Sequence, residues 1–121
     1  MSKGTQGTGE CLFCQIASRQ RPAAIVAEAD GLVAVNDIRP QAPVHLLIFP
    51  VEHLPTVADA TPAHTTLLGH AIHLANRLAR EHQIDRSGYR LVVNCGAQAG
   101  QSVWHLHLHL LGGRSFAWPP G

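Results

Sequence analysis

The chain has 121 residues, 45% of them hydrophobic and 14% charged, with a formal net charge of +1 when histidine is neutral. That length makes one domain with its own core. The composition excludes a disordered or coiled-coil chain, and the small charge excludes bulk attraction to nucleic acid or an anionic membrane. Nine histidines are the anomaly, because they make net charge sensitive to pH between about 5 and 8.

In chain order, residues 1–10 are expected to be a disordered tail with no secretory signal, leaving 11–121 as a single domain. No stretch is apolar for the length a membrane span needs. Three cysteines without an export signal point to a reducing, cytoplasmic compartment rather than a disulfide framework. Leu12 to Arg19 reads as a turn or two of helix, ended by Pro22. Ile25 to Glu28 and Leu32 to Asn36 read as a hairpin around the Asp30-Gly31 turn. Val44 to Phe49 is a nearly continuous apolar run, hence a central strand.

Thr61-Pro62 is a helix start, with Thr as N-cap and Pro at the first position. The helix is expected to run to about His82. Leu67, Leu68, Ala71, Ile72, Ala75, Leu78 and Ala79 form its apolar stripe, and His64, His70, His73 and His82 lie on or near its solvated side. Tyr89 to Asn94 and Val103 to Leu111 complete the strands, with a glycine-containing loop, Gly96 to Gly100, between them. Strands around one long helix give an α+β fold with a largely antiparallel sheet.

The chemistry concentrates in His105-Leu106-His107-Leu108-His109-Leu110-Leu111. On a strand, His105, His107 and His109 share one face at intervals of roughly 6.5–7 Å, and the leucines share the other. Three readings compete: a metal site, a nucleophilic histidine with its neighbours binding anionic oxygens or moving a proton, and a pH switch. The spacing along one strand is too wide for all three imidazoles to reach one ion easily. The preceding Gly100-Gln101-Ser102-Val103 favours the nucleophile, since glycine lets the backbone approach a phosphate and Ser102 adds a hydroxyl. Taken alone, that segment is an ordinary loop. Asp37 is equally a ribose acceptor or a turn residue before Pro40, and His45 is a satisfied core histidine on a central strand unless it joins the row. Cys11-x2-Cys14 is half a zinc site, a redox pair, or two small residues on a helical turn.

The row His105 to Leu111 resembles the histidine triad signature. The wider runs Gly100 to Trp104, Leu111 to Arg114, Trp118-Pro119-Pro120-Gly121, Asp37 to His45 and Tyr89 to Asn94 resemble the nucleotide-binding phosphoramidase branch of that family, over about residues 11–121. The resemblance implies a five-stranded, mainly antiparallel sheet with one long helix and a short N-terminal helix, continued across a homodimer. It implies hydrolysis of the P–N bond of adenosine or guanosine phosphoramidates. His107 would be the nucleophile, supported by His109, Ser102, His45 and His105. Asp37, Ile38, Asn94, Gly100, Gln101, Ser102 and Val103, with His107 and His109, would bind the nucleotide. It also implies a structural zinc on Cys11, Cys14, His53 and His105, not required for catalysis; otherwise His53 is an exposed loop residue. Trp118 would reach toward the partner subunit, and Cys95 falls outside the pattern. The alternatives are a dinucleoside polyphosphate hydrolase of the sister branch, a purine-nucleotide-binding adaptor with little turnover, and a zinc-stabilised interaction domain.

Overall fold

A computed structural model describes residues 10–121; the tail expected over 1–10 lies almost wholly outside the described residues. In chain order the elements are α1 (Leu12–Ala17), β1 (Ile25–Ala29), β2 (Leu32–Asn36), β3 (Val44–Pro50), α2 (Thr65–Glu81), β4 (Tyr89–Val92) and β5 (Leu108–Gly112). The strands form one sheet in the order β1-β2-β3-β5-β4, antiparallel throughout. The fold is the α+β arrangement expected. Asp30 and Gly31 both take positive φ, 55° and 77°, as a two-residue turn between β1 and β2 requires.

Alternation along β3 decides the layering. Leu46 and Ile48 point to one face and pack with Leu74, Ala75, Leu78 and Ala79 of α2 and with Leu108 and Leu110 of β5. Leu47 and Phe49 point to the other face and pack with Cys11, Phe13 and Ile16 around α1. The rings of Phe13 and Phe49 stack with centroids 4.4 Å apart. This two-sided burial explains why β3 reads as a nearly continuous apolar run. Each fully buried leucine here stabilises the fold by roughly 1.5–3 kcal/mol. The histidines of β3 and β5 lie on the α1 face, so α2 closes one side of the sheet and leaves the other to chemistry.

Several boundaries differ from the expectation. Thr61 does cap a helical start, accepting from the Ala63 N–H, but it opens a 3-10 turn over Pro62–His64, and α2 begins only at Thr65. Ile72 is exposed, and Leu74 takes its place in the buried stripe. His64 is not simply solvated, since its Nδ1 accepts from the Thr61 N–H and its Nε2 lies 2.9 Å from Glu52. His82 Nδ1 sits 2.9 Å from the Leu78 carbonyl. The last strand starts at Leu108 rather than Val103, because Leu106 donates its N–H to Leu54 O at 2.6 Å and that segment leaves the sheet. No helix among the described residues is long and apolar enough to cross a membrane.

Candidate active site and metal centre

The irregular segment before β5 sends its histidines to different tasks. His105 is fully buried and makes no part of a strand face. Its Nε2 lies 2.7 Å from the Pro50 carbonyl and therefore carries the proton. Nδ1 is left with a lone pair, which faces Cys11 Sγ at 3.3 Å, Cys14 Sγ at 3.5 Å and His53 Nδ1 at 3.1 Å. His53 Nδ1 in turn lies 3.3 Å from Cys14 Sγ.

These four donor atoms fit a tetrahedral ion. With metal–sulfur bonds of about 2.3 Å and metal–nitrogen bonds of about 2.0–2.1 Å, the edges of such a tetrahedron are roughly 3.3–3.8 Å. The acceptor held by His105 Nε2 is the outer-sphere contact that usually fixes a ligand tautomer. Burial and the neighbouring Cys11 push the Cys14 thiol up to about 11. Two adjacent thiolates without a cation repel, and a divalent ion removes that obstacle.

His107 is held differently. Its Nδ1 donates to the His105 carbonyl at 2.8 Å, so Nε2 keeps its lone pair. Burial lowers its pKa, against the opposing effects of the His105 carbonyl and Asp37, so the ring is neutral at physiological pH. A buried, neutral, oriented imidazole with one free nitrogen can act as a nucleophile.

His109 stands beside it, ring centroids 5.0 Å apart. The main-chain N–H of Gln41 donates to His45 Nδ1 at 3.0 Å, which leaves the His45 proton on Nε2. That proton is donated across 2.9 Å to His109 Nδ1, so neutral His109 carries its own proton on Nε2. Asp37 Oδ2 lies 3.4 Å from His45 Nε2, and Asp37 Oδ1 accepts from the Arg39 N–H. Burial, with His107 and His45 close by, holds His109 down to about 4. Burial also lowers His45, with Asp37 opposing.

Asp37, His45 and His109 also bring three donor atoms within 4.8 Å of one another. The Gln41 N–H argues against a metal there. To ligate through Nε2, His45 would have to move its proton to Nδ1, against a donor already pointing at it. No such conflict exists at His105.

The family described as "Scavenger mRNA decapping enzyme C-term binding" matches residues 10–116. An uncharacterised HIT-like protein of Synechocystis is 49% identical over 93% of this chain and 97% of its own length. The chain belongs to the histidine triad family. A HIT family hydrolase from Legionella pneumophila superposes with a TM-score of 0.90 at 48% identity, covering 92% of this chain and 99% of that one. A Zn-bound histidine triad family protein from Mycobacterium smegmatis superposes at 0.76 with 30% identity, covering 95% and 82%.

Within this histidine triad protein, the fold collects the expected residues into two neighbouring groups. Cys11, Cys14, His53 and His105 form one, and Asp37, His45, His107 and His109 the other. Ile38 is exposed beside Asp37, and Ser102 is exposed on the loop before the triad. Asn94 is half-buried just beyond β4, and Val103 packs under α1.

Two expectations change. Gln101 is buried, and its amide is committed to loop backbone: Oε1 accepts from the Gly96 N–H, and Nε2 donates to the Pro55 and Val103 carbonyls. Its side chain therefore holds the loop. The Gly100 N–H donates to Ala97 O, so what Gly100 offers is its left-handed turn, φ 92°. Sequence reasoning missed Gln41 and Pro50, which act through main-chain atoms and leave no side-chain signature.

Proposed function

We propose that this protein is a purine nucleoside phosphoramidase working through a nucleotidyl-histidine intermediate. The observation that carries the reading is the pairing of His107 Nδ1 with the His105 carbonyl, which leaves Nε2 free to attack. His107 Nε2 attacks the α-phosphorus; an N–P bond forms to the protein and the substrate P–N bond breaks. The electron pair goes to the departing amine, whose nitrogen carries a proton taken from solvent. Neutral His109 donates its Nε2–H to a phosphate oxygen and keeps that proton throughout. Water then attacks the phosphorus, its surplus proton passes to the released amine, the mononucleotide departs and His107 is restored neutral.

The exposed Ile38 suits packing on the base, and the Asp37 carboxylate suits the ribose hydroxyls. Ser102, Asn94 and Val103 are assigned to the phosphate and ribose side, with Gly100 shaping the loop that carries them. Cys11, Cys14, His53 and His105 are assigned to a zinc ion whose role is structural: it supplies cross-linking of the α1 segment to the sheet and no chemistry on the substrate. The Zn-bound mycobacterial relative supports that choice of metal. A reducing, cytoplasmic setting suits three cysteines of which none is in a disulfide.

A homodimer is part of this reading. β4 is an edge of the sheet with one side of its backbone unpaired. Beside it, exposed Ile72 and Val93 border an apolar cavity of about 220 Å³ lined also by Leu68 and Ala71. Pairing two β4 strands covers both features, and sedimentation of the full chain measures it.

The deciding experiment is mononucleotide release from an adenosine phosphoramidate of an alkyl amine, beside a dinucleoside polyphosphate, for the native protein and His107→Ala. Release from the phosphoramidate that the substitution abolishes supports the reading. Release from the dinucleotide alone moves the activity to the sister branch. Binding of mononucleotide with no release from either substrate leaves an adaptor.

A further inference from the structure

Gln41 receives a second tie from the far end of the chain. Arg114, two residues past β5, donates Nε–H to the Gln41 carbonyl at 2.8 Å and an Nη1–H to Ser115 O at 2.9 Å. Its guanidinium lies 4.3 Å from the centre of the Phe116 ring, and that of Arg90 lies 5.0 Å from the same ring. Arg90, on β4, also donates to Ala117 O at 2.9 Å. Gln41 steadies its own loop as well, with Nε2 donating to Arg39 O at 3.0 Å.

The two main-chain groups of Gln41 thus have different jobs. Its carbonyl is gripped by Arg114, and its N–H is aimed at His45 Nδ1. We propose that Arg114 is a positioning residue: through the main chain of Gln41 it fixes the tautomer of His45, and so keeps the Nε2–H of His109 turned to the substrate phosphate as a hydrogen-bond donor. Without the Gln41 N–H, His45 is free to carry its proton on either nitrogen, and His109 loses the donor that dictates its own tautomer. Arginine suits the task because its planar fork holds two carbonyls while its face rests on an aromatic ring. The C-terminal segment is thereby tied to the donor that faces the phosphate without touching the substrate. The part of this inference that concerns the phosphate rests on the phosphoramidase reading; the tautomer part does not.

The test compares native protein with Arg114→Ala, Arg114→Lys and Phe116→Ala. Nitrogen-15 NMR of the imidazoles reads the tautomers directly. Turnover is followed on two substrates with different leaving groups, a nucleoside phosphoramidate of an alkyl amine and a nucleoside 4-nitrophenyl phosphate. In native protein His45 and His109 are both Nε2–H. Arg114→Ala is expected to mix the tautomers of His45 and to lower kcat by about tenfold on both substrates alike, because the donor faces the phosphate that they share. Arg114→Lys, which keeps one donor for the Gln41 carbonyl, restores most of both signals, and Phe116→Ala produces a smaller change of the same sign. A single His45 tautomer in Arg114→Ala, or loss on one substrate alone, overturns the proposal. If native protein turns over neither substrate, the phosphoramidase reading fails while the NMR comparison still decides the role of Arg114. If Arg114→Ala does not fold, Arg114→Lys and Phe116→Ala carry the same two readouts; unchanged tautomers and rates in both overturn the proposal.

Discussion

His107 donates its Nδ1 proton to the carbonyl of His105, two residues earlier in its own chain, at 2.8 Å. In a regular strand a carbonyl at that position is committed to the ladder or points sideways, away from the neighbouring side chain. Here the ladder with β3 begins only at Leu108, opposite Ile48. The delayed start of β5 is what makes the His105 carbonyl available, and that carbonyl leaves His107 Nε2 with the free lone pair that the proposed nucleophile needs.

Removal of the His107 ring is expected to abolish turnover. His107→Ala should lower kcat by at least about 10³-fold while mononucleotide still binds. Denaturing mass spectrometry after acid quench checks the intermediate: native protein gains the mass of one nucleotidyl group, and the variant gains nothing.

Acid should destabilise the protein through His109. The native ring is held down to about 4 and the unfolded ring titrates near its ordinary value of 6.5, so between those values the unfolded chain binds the extra proton. The stabilisation is complete above about pH 6.5 and is lost as pH falls through about 4. His109→Gln should flatten that dependence by on the order of 1–3 kcal/mol across the window, read from denaturant titrations at a series of pH values.

The cysteine–histidine cluster should bind one metal ion per chain. Cys14→Ser, or a strong chelator on native protein, is expected to remove it and to lower stability by roughly 1–3 kcal/mol. Hydrogen exchange should localise the loss to α1, whose Phe13 and Ile16 pack beside the cluster. Metal content that is unchanged in Cys14→Ser contradicts the assignment.

Gly112 has no room for a side chain. A Cβ placed there would lie 2.5 Å from Ile84 Cδ1, 3.0 Å from its Cβ and 3.2 Å from its Cγ2. Gly112→Ala should cost about 1–3 kcal/mol by overpacking. Ile84→Ala in the same chain should recover part of that loss, and a denaturant midpoint for each variant measures both effects.

The elements and their faces were legible because they rest on local periodicity. Apolar residues at steps of three and four marked α2, the nearly continuous apolar run marked β3, and Asp30-Gly31 marked the hairpin turn that β1 and β2 make. Ile72 and the start of β5 were misplaced for one reason. Whether Ile72 or Leu74 is buried depends on how α2 lies across the sheet, and where β5 begins depends on Leu106 meeting Leu54 in a distant loop. Neither is a property of the local window.

The candidate site divides in the same way. Residue types alone showed a row of imidazoles open to several chemistries and a pair of thiols at half-zinc-site spacing, and the family resemblance supplied the nucleotide and metal readings. Only the tertiary structure decided which nitrogen of each ring is free, because that depends on carbonyls and N–H groups brought from elsewhere: Pro50 for His105, the His105 main chain for His107, Gln41 for His45. Main-chain donors and acceptors are the same at every residue and carry no sequence signal, so their placement, and the chemistry it selects, exists only once the chain has folded.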